Sequence, residues 1–205
     1  MTNVTAGLST SLDGYIAGPE DRVGQPLGVG GERLFDWFSD GDTPSRFYET
    51  FRMSTPSAAF FDEYAARGGA VITGRRTYDI AHAWGGRGPL RGVPLFVMTH
   101  EPPAEVPEGE PGDPPYTFVS EGIEAAVEQA RTAAGEKNVS LMGASPVQQA
   151  LRTGLLDELV VHLVPILLGG GVRLLGGGVP AGTRLEVERV LDAPGVTHLS
   201  YRVLR

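Results

Sequence analysis

The segment Val71-Ile-Thr-Gly-Arg-Arg-Thr-Tyr78 constrains the fold of this chain more than any other. Ala70 to Thr73 is a short apolar run suited to a buried strand, Gly74 supplies a turn, and Arg75 to Ala83 reads as a helix. Strand, glycine and helix in immediate succession form the unit from which open α/β sheets are built. The pattern returns at Val139 to Met142, where Gly143-Ala144 turns the chain into a helix. Ser145 reads as its N-cap, with Pro146 at the first helical position and Gln148 completing a capping box.

The remaining elements agree with this class. Val4 to Ser9 alternates as a strand, Asp13-Gly14 marks a turn, and Tyr15 to Ala17 is a short apolar piece. Gly18 to Gly31 reads as a long loop, either a binding lid or a disordered insertion. Thr55 to Gly68 predicts a helix with Pro56 in its first turn and Phe60, Phe61, Tyr64 and Ala65 at helical spacing. Val93 to Met98 and Tyr116 to Val119 predict strands, and Ser120 caps a helix that Gly135 stops. Leu159 to Leu168 is apolar on both faces apart from His162, as a central strand requires. After it, two alternating strands around Pro194-Gly195 predict an antiparallel hairpin at one sheet edge. The 205 residues are read as one domain, 1–205, in three α/β layers around a mixed, mostly parallel sheet.

Composition removes several classes of function. Without cysteine there is no disulfide framework, thiolate metal site or cysteine nucleophile. The four histidines show no metal-ligand spacing, so no metal is expected. A net charge of −8 with no basic cluster disfavours nucleic acid. No basic, apolar leader opens the chain and no run approaches the roughly 18 apolar residues of a membrane span. A cytoplasmic protein that binds a small molecule is the expectation.

Three places gather chemistry. Gly74, Arg75, Arg76 and Thr77 combine a strand-to-helix turn, two guanidinium forks and a hydroxyl, a set suited to a monoester phosphate and equally compatible with a solvated surface pair. Thr99 and His100 end a second strand, and Gly143, Ala144 and Ser145 stand at another strand-to-helix junction. Gly28-Val-Gly30 and Gly169-Gly-Gly171 match neither a dinucleotide fingerprint nor a P-loop and read as loop hinges. Asp13 is the candidate catalytic carboxylate, although Asp-Gly more often only makes a turn, and Asp62 and Glu63 are others. His162 reads as a satisfied core histidine.

Taken in order, Ser11-Leu-Asp-Gly-Tyr-Ile-Ala17, Gly74-Arg-Arg-Thr-Tyr78, Met142-Gly-Ala-Ser145, Gly154-Leu-Leu-Asp-Glu-Leu-Val160 and Pro165-Ile-Leu-Leu-Gly169 resemble the dihydrofolate-reductase-like superfamily. The branch they are similar to is the riboflavin-biosynthesis reductase, or RibD C-terminal, domain. That resemblance implies NADPH as hydride donor, about eight strands in the sheet, and a homodimer. It also implies Gly74 to Thr77 around a phosphate, Thr99 and His100 on the adenosine side, Gly143 to Ser145 at the pyrophosphate with Met142 also among the cofactor-binding residues, and Ile16 and Ala17 beside the nicotinamide. Two departures stand against a riboflavin role. Met142 occupies a place that is usually acidic in those reductases, and Ala144 replaces the second glycine. Their zinc-bearing deaminase domain is also absent from this sequence. The implied function is therefore hydride transfer to a small heterocyclic or carbonyl-like substrate, of which pterins and pyrimidines are the nearest class. The alternative is a non-catalytic nucleotide or phosphosugar binding protein.

Overall fold

Alternation of apolar strands with helices folds the chain around one large sheet; the computed structural model describes residues 2–204. The strands are β1 (Val4–Ser11), β2 (Tyr15–Ala17), β3 (Thr43–Pro44), β4 (Arg52–Met53), β5 (Gly68–Gly74), β6 (Leu95–Met98), β7 (Thr117–Val119), β8 (Asn138–Met142), β9 (Glu158–Val164), β10 (Val172–Arg173), β11 (Arg184–Ala193) and β12 (Val196–Leu204). The helices are α1 (Thr55–Ala66), α2 (Arg75–Ile80), α3 (Ile123–Ala134) and α4 (Ala144–Arg152). Eight strands share the main sheet in the order β11-β12-β9-β1-β8-β5-β6-β7. All its pairings are parallel except those of β12, which runs antiparallel to both β9 and β11. The expected mixed, mostly parallel sheet with a C-terminal hairpin is therefore present.

The period of two along the strands sorts side chains between the two faces. Val4 and Ala6 of β1, Ala70 and Ile72 of β5, and Val139 and Leu141 of β8 pack on α3 and α4 in one cluster. On the opposite face Thr5, Gly7 and Ser9 meet α1 and a 3-10 helix, Gly31–Phe38. A Cβ on Gly7 would lie 2.8 Å from the ring of Tyr64, so glycine there makes room for that ring. Leu34, Trp37, Phe38, Met53 and Ala58 form the second cluster. Each large apolar side chain buried this way contributes roughly 1.5–3 kcal/mol. This keeps residues 31–54 ordered although their only strands are two residues long.

Helix boundaries depart from expectation in physically readable ways. Helix α4 begins at Ala144 with Gly143 as its N-cap, so the capping box on Ser145 does not form. Ser145 Oγ instead accepts from Gln149 Nε2 at 2.9 Å, and Gln148 donates to the Arg173 and Leu174 carbonyls at 3.1 and 3.0 Å. Helix α3 is capped at Gly122 rather than Ser120. Helix α2 stops at Ile80, because His82, Ala83 and Trp84 turn left-handed with φ near +50° (49°, 50° and 49°). That conformation costs each residue about 1–2 kcal/mol. The Tyr116 hydroxyl helps to hold it by donating to the Ala83 carbonyl at 2.5 Å. Gly68 is not a simple helix stop, since it opens β5.

Candidate functional site

The carboxyl ends of the parallel strands open into one cavity of ≈ 1210 Å³. Ligands of open α/β sheets bind beyond these strand ends. The volume exceeds the ~300–1,000 Å³ of a single small-molecule pocket, so two ligands can lie side by side.

One half of the wall is built from junctions. Gly74 to Thr77 follow β5, Thr99 and His100 follow β6, and Met142 to Ser145 join β8 to α4; all of these residues line the cavity, as do Ile16 and Ala17 of β2. Ser120 and Gly122, between β7 and α3, line it too, although the sequence reading assigned them no binding role. The signal that could have found them is Gly122, a glycine at φ +99° directly before a helix. At Gly143, φ is +89° and a Cβ would sit 2.8 Å from Thr77 Oγ1. Glycine is needed there on both counts, and it lets the α4 amide groups approach a ligand closely. Helix α2 has only six residues, so its dipole is weak and the charge at that junction comes from side chains.

The two arginines already have partners. Arg75 donates through Nε to Asp79 at 2.8 Å and through Nη1 to the Glu101 carbonyl at 2.7 Å. Arg76 donates through Nε and Nη2 to the Asp21 carboxylate at 2.9 and 2.8 Å, tying the 18–31 loop to α2, and both residues line the cavity. That loop is ordered by its own backbone bonds, Gly18 N–H to Leu27 and Val29 N–H to Pro19, at 2.7 and 2.8 Å. Each guanidinium keeps one terminal nitrogen, Nη2 of Arg75 and Nη1 of Arg76, without a hydrogen bond among the described residues.

The other half of the wall is an aromatic chamber of Phe35, Phe38, Tyr48, Phe51 and Phe61, with Ser9 and His162 beside it. Tyr48 stays a neutral phenol, since burial pushes its pKa up to about 12 and its hydroxyl donates to the Pro89 carbonyl at 2.6 Å. Ser9, His162 and His198 are register neighbours across β1, β9 and β12. Ser9 Oγ accepts from Trp37 Nε1 at 3.0 Å. His162 is buried and hydrogen-bonded as a core histidine should be, and it also lines the cavity. Burial lowers the pKa of both histidines, aided at His162 by its neighbour and at His198 by Arg189, so both rings are neutral.

The candidate carboxylates lie elsewhere. Asp13 is not among the cavity-lining residues. Its oxygens accept from Ser11 Oγ at 2.5 Å and from the Leu168 and Gly169 amides at 3.1 and 2.7 Å, fastening a loop. The Ser11 bond first, then the two amides, outweigh desolvation and lower its pKa to about 2. Asp62 is buried, and although desolvation opposes its charge, bonds from Ser45 and Arg46 hold its pKa below the ordinary value. Glu63 pairs with Arg189 at 3.0 Å. Among the described residues, the carboxylates that line the cavity are Asp21 and Glu101, both on the junction side. No group of three or more His, Asp or Glu side chains suited to a metal occurs among those residues, nor is any helix long and apolar enough to cross a membrane.

Comparison with known proteins follows the same lines. The family model of the RibD C-terminal domain matches residues 2–199. The uncharacterized protein YwjB of Bacillus subtilis (strain 168) is 24% identical over 168 residues, covering 82% of this chain and 79% of YwjB. A crystal structure from Shewanella sp. PV-4, of a protein ascribed to riboflavin biosynthesis, superposes with a TM-score of 0.69 at 25% identity, covering 100% of both chains. The dihydrofolate reductase of Enterococcus faecalis complexed with NADP(H) shares the fold, with a TM-score of 0.57 at 13% identity over 98% of this chain and 96% of the enzyme.

Proposed function

The chain belongs to the RibD C-terminal domain family, and from that premise we propose that it is an NADPH-dependent reductase of a small heterocyclic or carbonyl-like compound, in the pterin or pyrimidine class. The observation that carries this reading is a cavity with two chemically different parts to its wall, one of amide-rich junctions and one of aromatic rings, with Ile16 and Ala17 also lining it. The first half suits a dinucleotide, whose pyrophosphate Gly143 to Ser145 would hold at the start of α4. Arg75 and Arg76, each with a terminal nitrogen that bonds to none of the described residues, would meet the 2′-phosphate. The second half suits a flat, conjugated ring stacked among Phe38, Phe51 and Phe61.

When NADPH is bound, its nicotinamide supplies the hydride. The protein's part is to hold donor and acceptor face to face, to exclude water with its aromatic wall, and to place a proton at the acceptor's heteroatom. Binding of cytoplasmic small molecules, with neither nucleic acid nor membrane as partner, accords with the charge of −8 and with the cavity. The implied homodimer would use the β11 edge, where Leu185, Val187 and Val190 are exposed.

Titration of the purified protein with NADPH, followed by nicotinamide fluorescence, tests the reading. Saturation at micromolar cofactor is expected, and no binding at millimolar cofactor overturns it. A binding-only role has one specific observation in its favour, since no carboxylate among the described residues lines the aromatic half. Oxidation of NADPH in the presence of dihydrofolate, pyrimidine ribityl compounds or quinones eliminates that role.

A further inference from the structure

Among the described residues no carboxylic acid lines the aromatic half of the cavity, but a chain of neutral hydrogen-bonding groups reaches it. His162 Nδ1 lies 2.8 Å from His198 Nδ1. His198 Nε2 lies 3.0 Å from Ser57 Oγ, and Ser54 Oγ donates to Ser57 Oγ at 3.0 Å. Ser57 and His198 are fully buried, whereas Ser54, at the start of α1, is only half-buried. The chain thus runs from near the surface to the cavity floor.

Its proton positions follow from counting donors. Ser57 Oγ has two partners and receives the Ser54 proton, so its own proton goes to His198 Nε2. His198 then carries its proton on Nδ1 and donates to His162 Nδ1, which leaves His162 with Nε2–H. With Nδ1 engaged, Nε2 is the nitrogen His162 has for a ligand in the cavity it lines. The surroundings keep both rings in place. Trp37 lies 5.0 Å from His162 and Phe60 stacks on His198 at 4.7 Å. Beyond Phe60 stands Arg189, which is paired with Glu63.

We propose that His162 is the proton donor to the substrate's heteroatom, recharged through His198, Ser57 and Ser54. The inference rests on the reductase reading and assigns the substrate an acceptor atom, a carbonyl oxygen or imine nitrogen, facing β9. Reduction of that C=O or C=N bond adds to carbon a hydride, whose loss oxidises the cofactor, and adds a proton to the heteroatom. His162 Nε2 gives that proton while its Nδ1 takes one from His198 Nδ1. Ser57 refills His198 Nε2, Ser54 refills Ser57, and solvent refills Ser54. Every group ends neutral, with both imidazoles in the opposite tautomer. After product release a proton from bulk solvent enters at His162 Nε2 and runs the chain back, and an equal proton leaves to solvent at Ser54. Such a relay suits a pair of rings that burial keeps uncharged.

Long-range proton–nitrogen NMR on histidine labelled with ¹⁵N reads the tautomers in the wild-type protein, without any variant or substrate. His162 protonated on Nε2 and His198 on Nδ1 at neutral pH is the expected result; His162 protonated on Nδ1, or cationic, overturns the proposal. In Ser57→Ala both rings should lose their fixed tautomer, and unchanged tautomers there also overturn it. His162→Gln keeps an N–H donor but has no transferable proton. It should bind NADPH as wild type does and hold KM, while kcat falls about 10²–10⁴-fold. A kcat within a few-fold of wild type, with binding intact, removes the donor role alone. Failure of the wild type to bind NADPH removes the reductase reading and the donor role with it.

Discussion

Tyr78 closes the segment that most constrains the fold, and its ring packs in a third cluster with Val71, Ala83, Leu95 and Val97. Its hydroxyl is buried there without a hydrogen-bond partner among the described residues. An orphaned buried hydroxyl costs about 1–3 kcal/mol. Tyr78→Phe should therefore raise stability by an amount of that order and the melting temperature by a few degrees, measured by thermal unfolding; a lower melting temperature would show that the hydroxyl has a partner. Single residues are also where sequence reading is weakest. Asp13 has the right type for an acid, yet its oxygens are occupied by Ser11, Leu168 and Gly169. His162 reads as core, and its two further properties, a place in the cavity wall and a hydrogen bond to His198, 36 residues further along the chain, come from the tertiary structure.

At the scale of elements, the strap between Arg76 and Asp21 joins the 18–31 loop to α2 in the wall of the cavity. Arg76 is 65% exposed, so the pair adds no more than about 1 kcal/mol to the fold. It does compete for the guanidinium that a 2′-phosphate would use. Asp21→Asn should leave the melting temperature nearly unchanged while NADPH binds at least about threefold tighter, or ~0.6 kcal/mol, with NADH unaffected. Equal changes for both cofactors would show that Arg76 does not face the phosphate. Elements with a strong local signal are the ones legible in the sequence: β5, β8 and β9, α1 with Pro56 in its first turn, and the hairpin at Pro194-Gly195. Residues 31–54 are not, because their order comes from aromatic packing rather than from periodicity.

For the molecule as a whole, the buried histidine pair links folding to pH. Their folded pKa values lie below the ordinary 6.5, so the unfolded chain binds more protons once pH falls under that value. The stability is therefore complete above pH 6.5 and is lost on acidification. Each histidine contributes a slope of up to about 1.4 kcal/mol per pH unit. Asp13 and Asp62, whose folded pKa values are lowered from 3.8, act in the same sense but only nearer to that value. Denaturant melts between pH 7 and 5 isolate the histidines; a flat profile would mean that the rings are not buried neutral.

The sequence by itself determined the fold class, since strand, glycine and helix in succession leave few ways to bury the apolar runs. It also marked three of the junctions that line one half of the cavity, after β5, β6 and β8, because a turn at the end of a strand is a local property. Only the tertiary structure decided the other half. It set Ser9, His162 and His198 side by side across three strands, delivered Ser57 and Phe61 from α1, and occupied Asp13, Asp62 and Glu63 elsewhere. Sheet register and partner choice bring together residues far apart in the chain, and no local pattern encodes that meeting.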